Sequence, residues 1–159
     1  RRSFSQHANI HAILADALEH TVARELGERI LTDDTLIQTS LYYRFYLHRA
    51  LKKAGLGHLF HDLLGPWEAQ LEKGLTTFPE TLLPDSRSDC HGWSAGLLFD
   101  LVDLVAGLQL KAPGFADFDF DPNLGSIDHF ACDICTPRGT LRFQAGKSRT
   151  GAQFHFRPD

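Results

Sequence analysis

The spacing of the apolar residues changes near residue 110, and this change limits the folds open to the chain. Before it, apolar residues recur at helical spacing, as Ile10, Ile13 and Leu14 do. After it they alternate with polar residues, as Phe118 and Phe120 do, which is the period of a β-strand. The sequence therefore predicts an α+β fold in which helices come first and antiparallel strands follow.

The two periods predict a helical region over residues 1–110 and a β region over residues 111–159. Helices are expected at 5–19, 21–31, 34–54, 56–64, 67–73 and 93–108, with an irregular connection at 75–91. Strands are expected at 115–120, 127–136, 140–144 and 153–157. So short a sheet is marginal without a covering layer, so we expect the β region to need a packing partner.

Composition excludes several classes of protein. With 16 basic against 20 acidic residues the net charge is −4, which does not suit a general nucleic-acid binder. Asp100 and Asp103 interrupt the longest apolar stretch, so we expect no membrane span. Three cysteines and no glycosylation sequon favour a reducing compartment over a disulfide framework. The chain lacks Met and begins Arg1-Arg2-Ser3, so we expect a processed chain or a fragment.

The segment richest in chemical groups consists of the runs TTFPE at 76–80 and RSDCHGWSA at 87–95. They combine carboxylates, a guanidinium, an imidazole and an indole, a set that suits a sugar site. The same residues permit a purely structural interpretation. In that interpretation Glu80 and Asp89 are solvated, Arg87 pairs with Asp85 or Asp89, and Trp93 lies in the core.

These runs, together with FSQHANI at 4–10, PGF at 113–115 and TPRG at 136–139, resemble glycoside hydrolase family 78, the α-L-rhamnosidases. The similarity covers nearly the whole chain in the right order. It implies an (α/α)6 barrel of six helical hairpins followed by a β-sandwich. The chain resembles the last hairpins over 1–110 and the beginning of the sandwich over 111–159.

The resemblance implies inverting hydrolysis of terminal α-L-rhamnosides, which uses two carboxyl groups about 6.5–9.5 Å apart. It gives Glu80 the position of the general base and places His91 and Trp93 in the rhamnose pocket. We expect Arg87 and Asp89 to fix the loop at the rim of that pocket. Nothing upstream of Glu80 resembles the loop of the general acid. We therefore expect the isolated chain to be inactive, because a lone base cannot assist a departing alkoxide.

Two other functions remain open from the sequence. One is a six-hairpin glycosidase acting on a different deoxy-sugar or on a uronic acid. The other is a carbohydrate-binding or structural fragment without catalysis. In every glycosidase interpretation the partner is a carbohydrate, and for the rhamnosidase it is a rhamnoside. None of these interpretations implies a cofactor or a metal. Exposed barrel faces predict self-association, or packing against the remainder of a full-length enzyme.

Three further groups of residues invite alternative interpretations. Gln6, His7 and Asn9 either contact a ligand or make caps and inter-helix hydrogen bonds. The aromatic run at 42–46 is more typical of helix packing than of a sugar platform. The spacing of Cys132 and Cys135 suggests zinc, but residues three apart on a strand point to opposite faces. We therefore predict no metal site there.

Overall fold

The computed structural model describes residues 4–148 and the backbone of residues 151–158. It is α+β, as the sequence predicted: the described residues form five α-helices and two small antiparallel sheets. The chain divides into two compact units, the first ending at Phe99 and the second beginning at Asp100. No helix in the described part of the chain has the length and apolar character needed to cross a bilayer.

The first unit is helical. Its elements are α1 (Gln6–Leu14), α2 (His20–Thr32), α3 (Leu41–Lys53), a 3-10 helix (Gly57–Leu63), α4 (Gly65–Glu72), a 3-10 turn (Gly92–Ala95) and the start of α5 (Gly96–Asp100). Pro66 lies in the first turn of α4, where its missing N–H costs nothing. Gly74 follows α4 with a φ of 79°, a value that glycine tolerates and that stops the helix. The predicted irregular connection at 75–91 is confirmed.

Residues from α1, α2 and α3 form the core of this unit. Their apolar side chains recur three and four residues apart, so each helix presents one stripe to the others. The buried cluster consists of Ile10, Ile13, Ala23, Ile30, Leu47, Ala50, Leu51, Ala54 and Leu56. These three helices form a small packed bundle, which precedes the irregular connection at 75–91 along the chain.

The prediction that the third helix begins at residue 34 is wrong, because α3 begins at Leu41. The Asp33 carboxylate accepts a hydrogen bond from the Thr35 N–H at 3.0 Å, which makes a turn instead of helix. The pKa of Asp33 lies below its ordinary value chiefly because Thr35 donates to the carboxylate. Beyond the turn, Ile37 donates its N–H to Phe4 at 2.9 Å, so the chain stays extended beside the start of α1.

The second unit begins with the last residue of α5 and a π-helical turn (Leu101–Val105), followed by five strands. These are β1 (Leu108–Ala112), β2 (Asp117–Phe120), β3 (His129–Thr136), β4 (Gly139–Ser148) and β5 (Gly151–Pro158). β1 pairs with β2, and β4 lies between β3 and β5, all antiparallel. The predicted last helix ends early, and β1 was not predicted. Gly107 turns the chain with a φ of 67°, and its carbonyl accepts the Asp121 N–H at 2.9 Å.

Phe143 on β4 is the centre of the second core and is fully buried. Its ring stacks on Phe120 at a centroid distance of 5.1 Å and meets Phe118 edge-on at 6.1 Å. Leu108 belongs to the same cluster. The β1–β2 hairpin thus covers the larger sheet in part, which provides packing that the strands would lack alone.

Candidate functional site

The loop at 75–91 is closed by its own backbone. The Glu80 N–H donates to the Ser88 carbonyl at 2.8 Å, and the His91 N–H donates to the Phe78 carbonyl at 2.6 Å. These two bonds place the run 76–80 beside the run 87–91, like two short strands of a hairpin. The segments in which the sequence concentrated its chemical groups therefore lie side by side.

Glu80 and Arg87 form a bidentate ion pair across this loop. The Arg87 Nε donates to Glu80 Oε2 at 3.0 Å, and Nη2 donates to Oε1 at 2.6 Å. The Glu80 side chain is 18% exposed, whereas that of Arg87 is 79% exposed. The alternative pairing of Arg87 with Asp85 or Asp89 is therefore wrong, and Glu80 is not freely solvated. Because the Arg87 side chain is largely exposed, the ion pair adds little to the stability of the fold. Its planar, bidentate geometry nevertheless orients the Glu80 carboxylate.

Trp93 lies on the surface with 61% of its area exposed, so the interpretation of it as a core residue is wrong. The His91 ring meets it edge-on at a centroid distance of 4.9 Å. His91 Nε2 is buried and finds no hydrogen-bond partner among the described residues. Because the protein encloses this nitrogen, a ligand on the surface does not reach it in this structure.

Ser94 anchors the turn that carries Trp93. Its buried hydroxyl donates to the Pro79 carbonyl, and its own carbonyl accepts the Trp67 Nε1–H at 3.3 Å. Asp89 holds the loop through its backbone, because its carbonyl accepts the Thr77 hydroxyl. The Asp89 side chain itself points to solvent as an exposed residue. Glu80, His91 and Trp93 are thereby supported by one local hydrogen-bond network.

Tyr42 is the residue that sequence reasoning missed. The structure leaves it 39% exposed, with its ring centroid 5.1 Å from that of Trp93. The neighbouring Tyr46, through a hydrogen bond and its charge, raises the pKa of the Tyr42 phenol above 10.0. Its ring also packs edge-on against those of Tyr43 and Tyr46 at 6.2 and 6.1 Å, so packing describes this residue too, although one side of it stays exposed. The available signal was its place next to buried Leu41, at the edge of the apolar stripe of α3.

The polar cluster at the start of α1 makes structural hydrogen bonds. The Gln6 side chain donates to the Ile30 carbonyl at 2.8 Å and accepts the Thr39 N–H at 2.7 Å. Asn9 donates to the Ser5 carbonyl at 2.9 Å. The ring of His7 lies 4.2 Å from that of Tyr43. Bonds to other segments account for Gln6, and a bond to the N-cap residue of its own helix accounts for Asn9, without a ligand.

Cys132 and Cys135 lie on opposite faces of β3, as their spacing on a strand requires. Cys132 packs among the partly buried residues around Phe143, whereas Cys135 is exposed. Burial and the nearby Asp133 charge raise the pKa of the Cys132 thiol. Within residues 4–148, no three histidine, cysteine or carboxylate side chains converge in a way that could hold a metal ion.

Two cavities lie among the described residues of the first unit, and one of them is lined by the loop run at 76–79. One of about 240 Å³ is apolar and is lined partly by Trp67, Phe78 and Leu98. The other, of about 290 Å³, lies between Phe4 and Asp33. Neither of these two cavities is lined by Glu80, His91 or Trp93. A comparison with models of known protein families and a comparison with curated proteins both return no match.

Proposed function

We propose that the chain is part of an inverting α-L-rhamnosidase of glycoside hydrolase family 78, with Glu80 as its general base. The helical unit then corresponds to the last hairpins of an (α/α)6 barrel and the second unit to the beginning of a β-sandwich. The observation that carries the proposal is the closed loop. It presents an oriented, mostly buried carboxylate on the same short segment as a half-buried imidazole and an exposed indole.

In this proposal Glu80 takes a proton from the attacking water. A carboxylate has about four lone-pair positions, and the guanidinium of Arg87 uses one on each oxygen. The remaining lone pairs have fixed directions, because the bidentate contact fixes the carboxylate plane. A water molecule bound to one of them would be held for attack on the sugar. Nothing upstream of Glu80 resembles the loop of the general acid, so in this proposal the group that protonates the leaving oxygen comes from the remainder of the enzyme.

Trp93 and His91 bind the sugar in this scheme. An exposed indole offers an apolar face to the C–H face of a pyranose, and the half-buried His91 ring lies edge-on beside it at a centroid distance of 4.9 Å. The engagement of Arg87 by Glu80 also favours a neutral sugar over a uronic acid. To bind a uronic acid, the Arg87 guanidinium would have to release the Glu80 carboxylate and pair with the carboxylate of the sugar instead.

Binding is tested by the fluorescence of the exposed tryptophan. Trp67 is buried and Trp93 is not, so quenching by acrylamide reports mainly on Trp93. We expect L-rhamnose to protect Trp93 from quenching, and L-fucose and D-glucuronate to protect it less. Stronger protection by one of those two sugars would favour the other six-hairpin glycosidases instead. Protection by no sugar would refute the proposal.

Catalysis is tested with two substrates that differ in leaving group. Methyl α-L-rhamnopyranoside needs a general acid, whereas p-nitrophenolate departs without a proton, so only the aryl substrate isolates the base. We expect no hydrolysis of the methyl glycoside, because a lone base cannot assist its departing alkoxide, and slow release of p-nitrophenol from the aryl substrate, which Glu80→Gln lowers about 100-fold or more. Glu68→Gln, an exposed acid on α4, is the matched control and should change nothing. Equal rates in the chain and in Glu80→Gln would show that Glu80 is not the base.

A further inference from the structure

The outer edge of β3 has no strand beside it. The larger sheet has the order β3-β4-β5, and among the strands that the structure describes only β4 pairs with β3. Folded proteins usually protect such an edge with lysine, proline, a bulge or a short length. β3 is eight residues long, its sequence HFACDICT contains neither lysine nor proline, and its register with β4 has no bulge. This edge is therefore able to pair with another strand.

The pairing with β4 shows which backbone groups of β3 point outward. The register continues one step before His129, where the Lys147 N–H donates to the Asp128 carbonyl at 2.8 Å. Opposite residues of an antiparallel pair alternate between hydrogen-bonded and non-hydrogen-bonded pairs. The even-numbered residues of β3 therefore bond to β4, and the odd-numbered residues direct their N–H and C=O groups away from the sheet. These outward-facing residues are His129, Ala131, Asp133 and Cys135.

The side chains of β3 divide between two faces with the same period of two. The odd-numbered side chains are exposed, and the even-numbered ones pack around Phe143; the latter are Phe130, Cys132 and Ile134. Directly opposite residues of an antiparallel pair point to the same face of a sheet. A partner strand must therefore place apolar side chains opposite the even-numbered residues and bond to the odd-numbered ones. A second copy of β3 meets both requirements when Cys132 lies opposite its own copy.

We propose that two copies of the chain associate edge to edge through β3, antiparallel, with Cys132 opposite Cys132 of the second copy. In this register Phe130 lies opposite Ile134, and Ala131 lies opposite Asp133. The two three-stranded sheets then join into one sheet whose apolar face is continuous. Each copy contributes the same surface, as a two-fold dimer requires. Arg142 on β4 pairs with Asp133 at 3.3 Å, so the charge of this edge is balanced within each copy.

Two substitutions at one exposed position test the register. Ala131→Asp places an aspartate directly opposite Asp133 of the second copy, whereas Ala131→Lys places a lysine there. Like charges in this position repel and opposite charges attract, and the two-fold axis makes each substitution act twice. We expect Ala131→Asp to weaken the dimer about 2-fold to 30-fold in sedimentation equilibrium, and Ala131→Lys not to weaken it. Weakening by both charges to the same extent, or by neither, would overturn the proposed register.

The substitutions should leave each copy folded, because the Ala131 side chain is exposed. Near-ultraviolet circular dichroism of the aromatic cluster around Phe143 checks this in both variants. A dimer that keeps its affinity in Ala131→Asp would form through another surface, such as the exposed faces of the helical unit. That result would refute the association through β3, and so would a chain that sediments as a monomer at every concentration.

Disulfide cross-linking tests the same register independently. A non-hydrogen-bonded pair brings opposite Cα atoms to about 4.5 Å, which a disulfide can bridge. In the double variant Cys90→Ser/Cys135→Ser, the oxidant diamide should accept two protons and two electrons from a pair of Cys132 thiols and leave one disulfide between the copies. The matched control Cys90→Ser/Cys132→Ser keeps only Cys135, which lies opposite His129 in this register and should cross-link little. Faster cross-linking through Cys135 than through Cys132 would exclude the proposed pairing.

Discussion

Replacing Gly107 by alanine should destabilise the second unit far more than the same change at Gly114. The two glycines have nearly identical φ angles of 67° and 66°. A Cβ on Gly107 would lie 1.9 Å from the carbonyl oxygen of Asp121, whereas one on Gly114 would meet only Pro137 at 3.9 Å. Gly114→Ala is therefore a matched control that pays the same backbone cost without the collision.

The expected magnitudes follow from these contacts. Alanine in the left-handed region costs about 1–2 kcal/mol at either position. At Gly107 the backbone must also move by more than 1 Å, since real Cβ contacts are not shorter than 3.0 Å. That movement breaks the Asp121 N–H bond to Gly107 and disturbs the Asn123 N–H bond to Val105. Each bond contributes about 0.5–1.5 kcal/mol, so the total loss at Gly107 is about 2–5 kcal/mol.

Urea unfolding of the three proteins measures this difference as a shift in the midpoint at constant slope. Near-ultraviolet circular dichroism before unfolding checks that the aromatic packing around Phe143 survives in Gly114→Ala. Equal losses of unfolding free energy in the two variants would refute the reasoning. They would mean that the chain at Gly107 does not approach Asp121 as closely in solution as the structure shows.

Two further substitutions or modifications test groups outside the site. Arg44→Met should leave the free energy of unfolding unchanged or raise it by about 1 kcal/mol. The reason is that the buried Arg44 Nε makes no hydrogen bond within the described residues, and burial lowers the pKa of the guanidinium. A clear loss of unfolding free energy in urea would contradict this prediction. Iodoacetamide near pH 8 should alkylate the exposed Cys90 and Cys135 before Cys132, because the raised pKa of Cys132 leaves less thiolate. Peptide mass spectrometry measures the order of alkylation, and earlier alkylation of Cys132 would contradict the prediction.

The sequence predicted elements well where the periodic signal was local. The class α+β, the irregular connection at 75–91 and the strand β3 are confirmed. The prediction from sequence failed where contacts between distant parts of the chain determine the backbone conformation. The extended segment before α3 depends on buried Gln6, which is 33 residues away from its partner Thr39. No periodicity can report a contact of that kind.

The end of the predicted last helix shows a second cause of error. Residues 93–108 are mostly apolar, with Asp100 and Asp103 as interruptions, and this pattern predicts one helix. The chain instead passes through 3-10, α and π turns and becomes strand β1 at Leu108. Gly107 permits this change because glycine tolerates its φ of 67°. The backbone hydrogen bond from the Asp121 N–H to the Gly107 carbonyl then holds the chain in the extended course. A lone glycine in a helical pattern signals such a break only once its partner is known.

The candidate site divides along the same line between local and distant causes. Glu80, Arg87, His91 and Trp93 lie within fourteen residues of one loop, and its own hydrogen bonds bring them together. A motif can therefore specify this part, and changes within the loop should act on the role that we propose for Glu80. Tyr42 reaches Trp93 only through the packing of α3, so the sequence gives no motif for it. Changes at Tyr42 should accordingly alter the surroundings of Trp93 while the hydrogen bonds within the loop persist.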